Sequence, residues 1–238
     1  MLRNVGRLLL LGSIGALASC STSDMANRQN TSRTFDTVVV DAGHGGKDSG
    51  AARRSGLPEK VITLDVAQRL NRKLRESQFK TVMTRTSDVF IPLDDRVAIG
   101  NRQPNSVFVS VHFNDSRRRG IHGVETYYSS PYARSLAERI QRKLLTMPGA
   151  SSRGVKTARF RVLRNAVYPS VLVECGFLSN RNEGRRSRSG DYRDLLADKI
   201  SEAIVEERYG AGIYNAPPRT MMAAARTQSR RAPAAPAN

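Results

Sequence analysis

Short apolar runs alternate along the middle of the chain with longer stretches of helical period. Residues 35–41, 80–84, 106–111 and 170–173 read as strands, each short and rich in β-branched side chains. Residues 58–76 read as a helix with Ile62, Val66, Leu70 and Leu74 along one face. Pro58 suits the first turn of that helix, and Glu59 beside it suits the positive end of the helix dipole. Residues 94–101, 133–145 and 195–207 carry further helical patterns, and residues 190–192 read as a connection into the last of them. The VVV, VFVSV and SVLV runs are continuously apolar rather than alternating, so their strands are expected to be covered on both faces. This pattern predicts an α/β domain with a mostly parallel sheet between helices, without internal repeats.

The ends of the chain follow other rules. Residues 1–20 contain Arg3 and Arg7 and no acid, then an apolar stretch from residue 8 to residue 18, then small residues leading to Cys20. Such a stretch is too short to span a bilayer, which takes about 20 apolar residues, but it has the length of a signal-peptide core. Leu17-Ala18-Ser19-Cys20 resembles the lipobox of bacterial lipoproteins, in which the cysteine becomes the lipidated first residue. Lipid on Cys20 would anchor the protein to a membrane rather than across it. Ser21 after the cysteine favours the outer membrane by resemblance to the sorting rule, which implies a periplasmic location. Residues 21–33 are polar and read as a tether, and residues 215–238, built from Ala, Pro, Arg, Met and polar residues, read as a disordered tail. One domain is thus expected over residues 34–214.

Charge narrows the partners. Of a formal net charge of +18, six arginines lie in the acid-free end segments, which leaves a surplus of twelve on residues 21–210. That surplus suits nucleic acid, anionic lipid or a cell-envelope polymer, or else forms a solvated basic face. An export signal argues against nucleic acid. Cys20 and Cys175 are the only cysteines, so no disulfide forms if Cys20 carries lipid.

Candidate chemistry gathers at strand ends. His44 sits in Asp41-Ala42-Gly43-His44-Gly45-Gly46, directly after the first strand, where it could hold a metal, belong to a phosphate-binding loop or lie in an ordinary turn. The glycine spacing fits neither nucleotide-binding fingerprint, which disfavours phosphate. His112 ends the strand at 106–111, and ligands in open α/β sheets gather outside the carboxyl ends of strands. Glu59, at the start of the following helix, falls near the same edge. Two imidazoles and one carboxylate are the ligand set of a catalytic zinc site that keeps one position open. His122, in a basic glycine-containing connection, is expected to face solvent. Glu174 closes an otherwise apolar strand, where a carboxylate is costly unless it meets a cation, a metal or donors. A buried ion pair with an arginine and a catalytic role remain equal alternatives on these grounds.

VVVDAGHGGKDSGA, Pro58-Glu59-Lys60, Thr84-Arg85 with Asp94 to Asn101, Ser110-Val111-His112-Phe113-Asn114, Val124-Glu125-Thr126-Tyr127-Tyr128, Arg153-Gly154-Val155-Lys156 and the segment from Leu172 to Asn180 follow one another in a telling order. In that order and spacing the chain resembles the zinc-dependent N-acetylmuramoyl-L-alanine amidases across roughly residues 35–210. The resemblance implies a mostly parallel or mixed sheet flanked by helices, with one Zn2+ held by His44, Glu59 and His112 and with Glu174 as the catalytic carboxylate. It implies hydrolysis of the amide between N-acetylmuramic acid and L-alanine in peptidoglycan, for wall remodelling or daughter-cell separation. A zinc peptidase of the stem peptide and a non-catalytic wall-binding lipoprotein are the alternatives. His112 is followed by Phe-Asn-Asp where relatives usually carry Ala and then Asn or Asp. Only nine residues separate Asn114 from Val124, too few for the inserted helix that blocks the zinc in division-associated members, so no activator is expected to be required.

Overall fold

The structure is a computed structural model that describes residues 28–52 and 56–211. The expected signal, Cys20, most of the tether and the tail lie outside these residues. Strand β1 (Thr37–Ala42) leads through the histidine loop to helix α1 (Glu59–Glu76), then β2 (Lys80–Met83), α2 (Leu93–Asn101) and β3 (Ser106–Asn114). β4 (Val124–Tyr128), α3 (Arg134–Leu144), β5 (Ser152–Thr157), α4 (Arg161–Arg164), β6 (Ser170–Phe177), α5 (Arg181–Arg186) and α6 (Gly190–Tyr209) complete the domain. The six strands form one sheet in the order β2-β1-β3-β6-β4-β5, parallel throughout except for the antiparallel β4–β6 pair. The sheet is therefore mixed.

The two faces are covered unequally, and this difference locates the site. On one face Val38, Val40, Val109, Val111, Val171 and Val173 pack with α1, α3 and α6. Leu70, Leu74, Ile140, Leu144, Ile200 and Ile204 of those helices are completely buried, each worth about 1.5–3 kcal/mol of apolar transfer. On the other face Val39, Phe108 and Leu172 meet Val97 of α2 and Val162 and Leu163 of α4, a much smaller cluster. Those two short helices cap the lower part of that face. Its upper part, at the carboxyl ends of β1, β3 and β6, is left to polar side chains.

Two strands and two short helices were not foreseen as elements, and the cover explains why. In β4 only Val124, Glu125 and Thr126 are buried, and in β5 no residue is, so neither builds an apolar run. α4 and α5, at four and six residues, are too short to establish a helical period. Residues 190–192, expected as a connection, instead form the first turn of α6, with Ser189 at the N-cap and Asp191 at the positive helix end. Residues 28–33, expected as the end of the tether, include Thr31, whose hydroxyl donates to the Ser106 carbonyl at 2.5 Å, and Gln29, whose N–H reaches the Val167 carbonyl at 2.9 Å. The folded unit therefore begins before residue 34.

One buried ion pair supports the upper edge. Asp41, 1% exposed, meets Arg96 Nη1 at 2.8 Å, and its carboxylate also accepts from the hydroxyls of Thr84 and Ser110, each at 2.6 Å. Burial pushes the Asp41 carboxyl up, but Arg96 and the two hydroxyls outweigh it and hold the group below the usual carboxylate range. Replacing Arg96 by Met leaves that carboxylate uncompensated, so urea unfolding at pH 7 should show a loss of about 3–5 kcal/mol. Because the folded pKa is the lower one, this stabilisation is present above about pH 4 and disappears as pH falls further. The stability gap between the parent and Asp41→Asn should therefore narrow in acid.

Candidate metal centre

His44 lies in the loop after β1 with φ of +60°, a left-handed conformation that costs a non-glycine residue on the order of 1 kcal/mol. The loop is held there by donors to three consecutive carbonyls. Arg96 donates to the Ala42 and His44 oxygens, each at 2.6 Å, and Arg85 to the Ala42 and Gly43 oxygens at 3.0 and 2.8 Å. Thr63 Oγ1 adds a bond to the Gly43 oxygen at 2.8 Å. Asp48, four residues on, accepts from His44 Nδ1 at 2.9 Å, which turns Nε2 inward.

Glu59 is the first residue of α1 and is 3% exposed. Its Oε1 lies 3.0 Å from His44 Nε2 and 3.1 Å from His112 Nδ1, and accepts the Phe113 N–H at 2.9 Å. Its Oε2 accepts the Ala51 N–H at 2.8 Å. One ligand atom from each of His44, Glu59 and His112 falls within 4.8 Å of the others, so the three form a possible metal site. Burial raises the Glu59 pKa, but the two histidines more than reverse this and hold it well below the usual range. Both histidines are shifted up in turn, as Glu59 and its neighbours outweigh burial. The arrangement is a negative centre that demands positive charge, supplied by protons or by a metal.

Glu174 stands apart from the three. It pairs in register with His112 on one side and Glu125 on the other, next to a register shift between β3 and β6 that follows His112. Its Oε2 is sealed from solvent and has no hydrogen-bond partner among the described residues. Burial raises its pKa to about 7, against the pull of His112. Among the described residues no arginine pairs with Glu174, the alternative that the sequence left open: the neighbouring buried carboxylate that takes arginine and lysine partners is Glu125. His122 is exposed, as expected, and bonds the Gly120 carbonyl.

The four residues line a cleft of about 820 Å³ whose far wall is apolar, formed by Phe90, Ile91, Leu93, Phe160 and Val162. Phe90, Leu93 and Phe160 are 39%, 54% and 42% exposed, so the wall is available to a ligand rather than packed away. Of the nine residues between Asn114 and Val124, only Asp115 lines the cleft.

Sequence reasoning missed Asp48, Arg85, Arg96 and Asp41. Their partners are mostly backbone carbonyls and each other, which no periodicity reports. The signal that could have found them is the acid that ends an apolar strand, since Asp41 in so buried a run requires a cation. Two glycines show how little room the centre has. A Cβ on Gly43 would lie 2.4 Å from the His112 ring, and one on Gly50, at φ of +62°, 2.5 Å from Glu59 Oε2. Gly43→Ala should therefore displace His112 and weaken metal binding in a folded protein. Asp48→Ala should weaken it by about 10–100-fold, measured by competition against a chromophoric chelator.

Known proteins share this arrangement of chain. Residues 38–206 match the family model described as N-acetylmuramoyl-L-alanine amidase. The chain is 35% identical over 207 residues to N-acetylmuramoyl-L-alanine amidase LytC of Bacillus subtilis, an alignment covering 85% of this chain and 41% of LytC. It is 40% identical over 172 residues to the uncharacterized protein YqiI of the same organism, covering 71% of this chain and 82% of YqiI. Among solved structures, N-acetylmuramoyl-L-alanine amidase AmiC2 of Nostoc punctiforme is 37% identical, with a TM-score of 0.69 and coverage of 71% of this chain and 95% of that one. The catalytic domain of the amidase CwlV from Bacillus (Paenibacillus) polymyxa var. colistinus is 33% identical, with a TM-score of 0.68 and coverage of 72% and 97%. By sequence and by fold alike, the chain belongs to the N-acetylmuramoyl-L-alanine amidase family.

Proposed function

We propose that the protein is a zinc-dependent hydrolase that cleaves the amide between N-acetylmuramic acid and the L-alanine of the peptidoglycan stem peptide. The observation that carries this reading is the convergence of His44, Glu59 and His112 within 4.8 Å beside the sealed, unpartnered oxygen of Glu174. The residues fit the metal. Two imidazoles and a carboxylate are the donor set of a catalytic zinc site with an open position, and an orphaned buried oxygen fits a group meant to meet something bound there. When bound, the ion supplies Lewis acidity, which polarises the amide carbonyl and acidifies water.

The chain's own groups do the rest. Asp48 holds His44 in one orientation through Nδ1, and the Phe113 and Ala51 amides fix the Glu59 carboxylate. Glu174 takes a proton from the attacking water and returns it to the departing alanine nitrogen. A carboxyl lifted to about 7 by burial can do both near neutrality, and a cation beside it pulls it back towards the ionised form. The new bond joins the water oxygen to the lactyl carbonyl carbon, the carbon–nitrogen bond breaks, and the products are a free lactyl acid and an L-alanine amine.

The wider setting follows from the sequence. An export signal ending at Cys20 supports a periplasmic protein anchored by lipid to the outer membrane, engaged in wall remodelling or daughter-cell separation. The short connection between β3 and β4 supports a cleft that works without an activator.

Mass spectrometry of purified peptidoglycan treated with the zinc-loaded protein should reveal free L-alanine amino termini, whereas cuts inside the stem peptide with the muramoyl–alanine bond intact would support a peptidase instead. Glu174→Gln should keep its zinc and lose about 100-fold or more of the turnover. His44→Ala and His112→Ala should lose the zinc, measured by elemental analysis. A Glu174→Gln protein that solubilised peptidoglycan at the parent rate would remove Glu174 from the mechanism.

A further inference from the structure

The sheet face that carries the metal centre does not stop at Glu174. In register beside Glu174 comes Glu125 of β4, and beside Glu125 comes Gly154 of β5; one step along, Leu172, Tyr127 and Lys156 form the adjacent row. Helix α3 packs beneath β4 on the opposite face, where Gln141 bonds Thr126 Oγ1 and the Val124 carbonyl. The upper face of β4 and β5 is a shelf that remains accessible: Tyr127, Gly154 and Lys156 are partly exposed and Arg153 is exposed.

The charges on this shelf do not cancel. Glu125 is a single buried carboxylate, with 3% of its side chain exposed, and it is shared by two cations. Lys156 Nζ and Arg153 Nε, at 3.3 Å, both reach Oε2, while Oε1 accepts Asn114 Nδ2 at 2.6 Å. One positive charge is left over. The cations are held in place as well as paired, with the Arg153 guanidinium 5.1 Å from the Phe177 ring and the Lys156 ammonium 5.7 Å from the Tyr127 ring. Their side chains are nevertheless 35% and 39% exposed, which leaves donors free for a ligand. The shelf joins the cleft at two points. Asn114 lines the cleft and bonds Glu125, and Phe160 lines the cleft and stacks edge-on against Tyr127 at 5.1 Å.

A surplus cation held against Glu125, the in-register neighbour of the proton-transferring carboxylate, selects charge in whatever lies across the shelf. On the two sides of a muramoyl–alanine amide, the sugars are neutral and the stem peptide carries carboxylates. We propose that Lys156 and Arg153 form a subsite for a carboxylate on the amine side of the scissile bond, so that an acidic stem peptide is preferred over its amidated form. This rests on the amidase reading. Glu125 is the positioning residue that fixes both cations, and Lys156, whose side chain is slightly the more exposed of the two, is the one that discriminates. Removing Lys156 leaves Glu125 paired with Arg153, so its loss does not orphan a buried charge.

The test compares two matched soluble muropeptides that differ only in the second stem residue, one with a free α-carboxylate and one with that group as a primary amide. The zinc-loaded parent should favour the acid by about fivefold in kcat/KM, the worth of one half-exposed ion pair, and the preference should shrink as salt is raised. Lys156→Met should bring the ratio towards one, and Lys156→Arg should retain it. Calorimetric titration with the released acidic peptide and its amide should give the same order of affinities in the parent and a reduced difference in Lys156→Met. Equal cleavage of both muropeptides by the parent, or an unchanged ratio in Lys156→Met, overturns the subsite and leaves the amidase reading standing. Cleavage of neither overturns both.

Discussion

The carbonyl oxygens of Ala42, Gly43 and His44 point to one side of the loop that leaves β1, and two buried arginines receive them. Arg96 spans Ala42 and His44 while pairing with Asp41, and Arg85 spans Ala42 and Gly43. A loop that keeps a histidine in left-handed backbone needs such over-determination, because strain of this kind persists only where the surroundings leave no alternative. From that fixed point the rest follows. His44 is aimed at Glu59, Glu59 is aimed at His112, and α1 starts where its first carboxylate can be shared by both rings. The charge of the centre follows the same logic, since one buried carboxylate between two imidazoles favours a cation at their focus.

The unequal cover of the sheet turns this fixed point into a cleft. Three long helices seal one face with apolar side chains, whereas α2 and α4 reach only part of the other. Polar residues at the ends of β1, β3 and β6 can therefore stand side by side without being driven apart by packing. Asp41 and Ser110 serve the support of the loop, and His112, one step further up β3, and Glu174, its partner in register on β6, face the cleft. Structure and chemistry thus share one sheet face in successive rows.

Much of this was legible in the sequence, for reasons that also explain what was not. β1, β3 and β6 announced themselves because strands covered on both faces read as unbroken apolar runs. β4 and β5 did not, because one of their faces is the open shelf that carries Glu125, Tyr127 and Lys156. His44, Glu59 and His112 could be found because strand ends and a helix start meet at one edge in an α/β sheet. Glu174 could be singled out as a costly carboxylate, but not told from an ion-pair partner, because that choice depends on which neighbour faces the arginines. Glu125 takes them. The roles of Arg85 and Arg96 were silent, since a side chain that bonds a loop carbonyl leaves no period, and that of Asp48 was silent because its bond to the His44 ring depends on how the loop turns.

The most direct measurement is a crystal structure of the zinc-loaded protein. One ion bound by His44 Nε2, Glu59 Oε1 and His112 Nδ1 at about 2.0–2.2 Å is expected, with Glu174 outside the coordination shell and the Arg85 and Arg96 bonds to the loop carbonyls intact. Zinc ligated by Glu174 or His122, or a folded protein that excludes the ion from these three residues, would contradict the assignment of the centre.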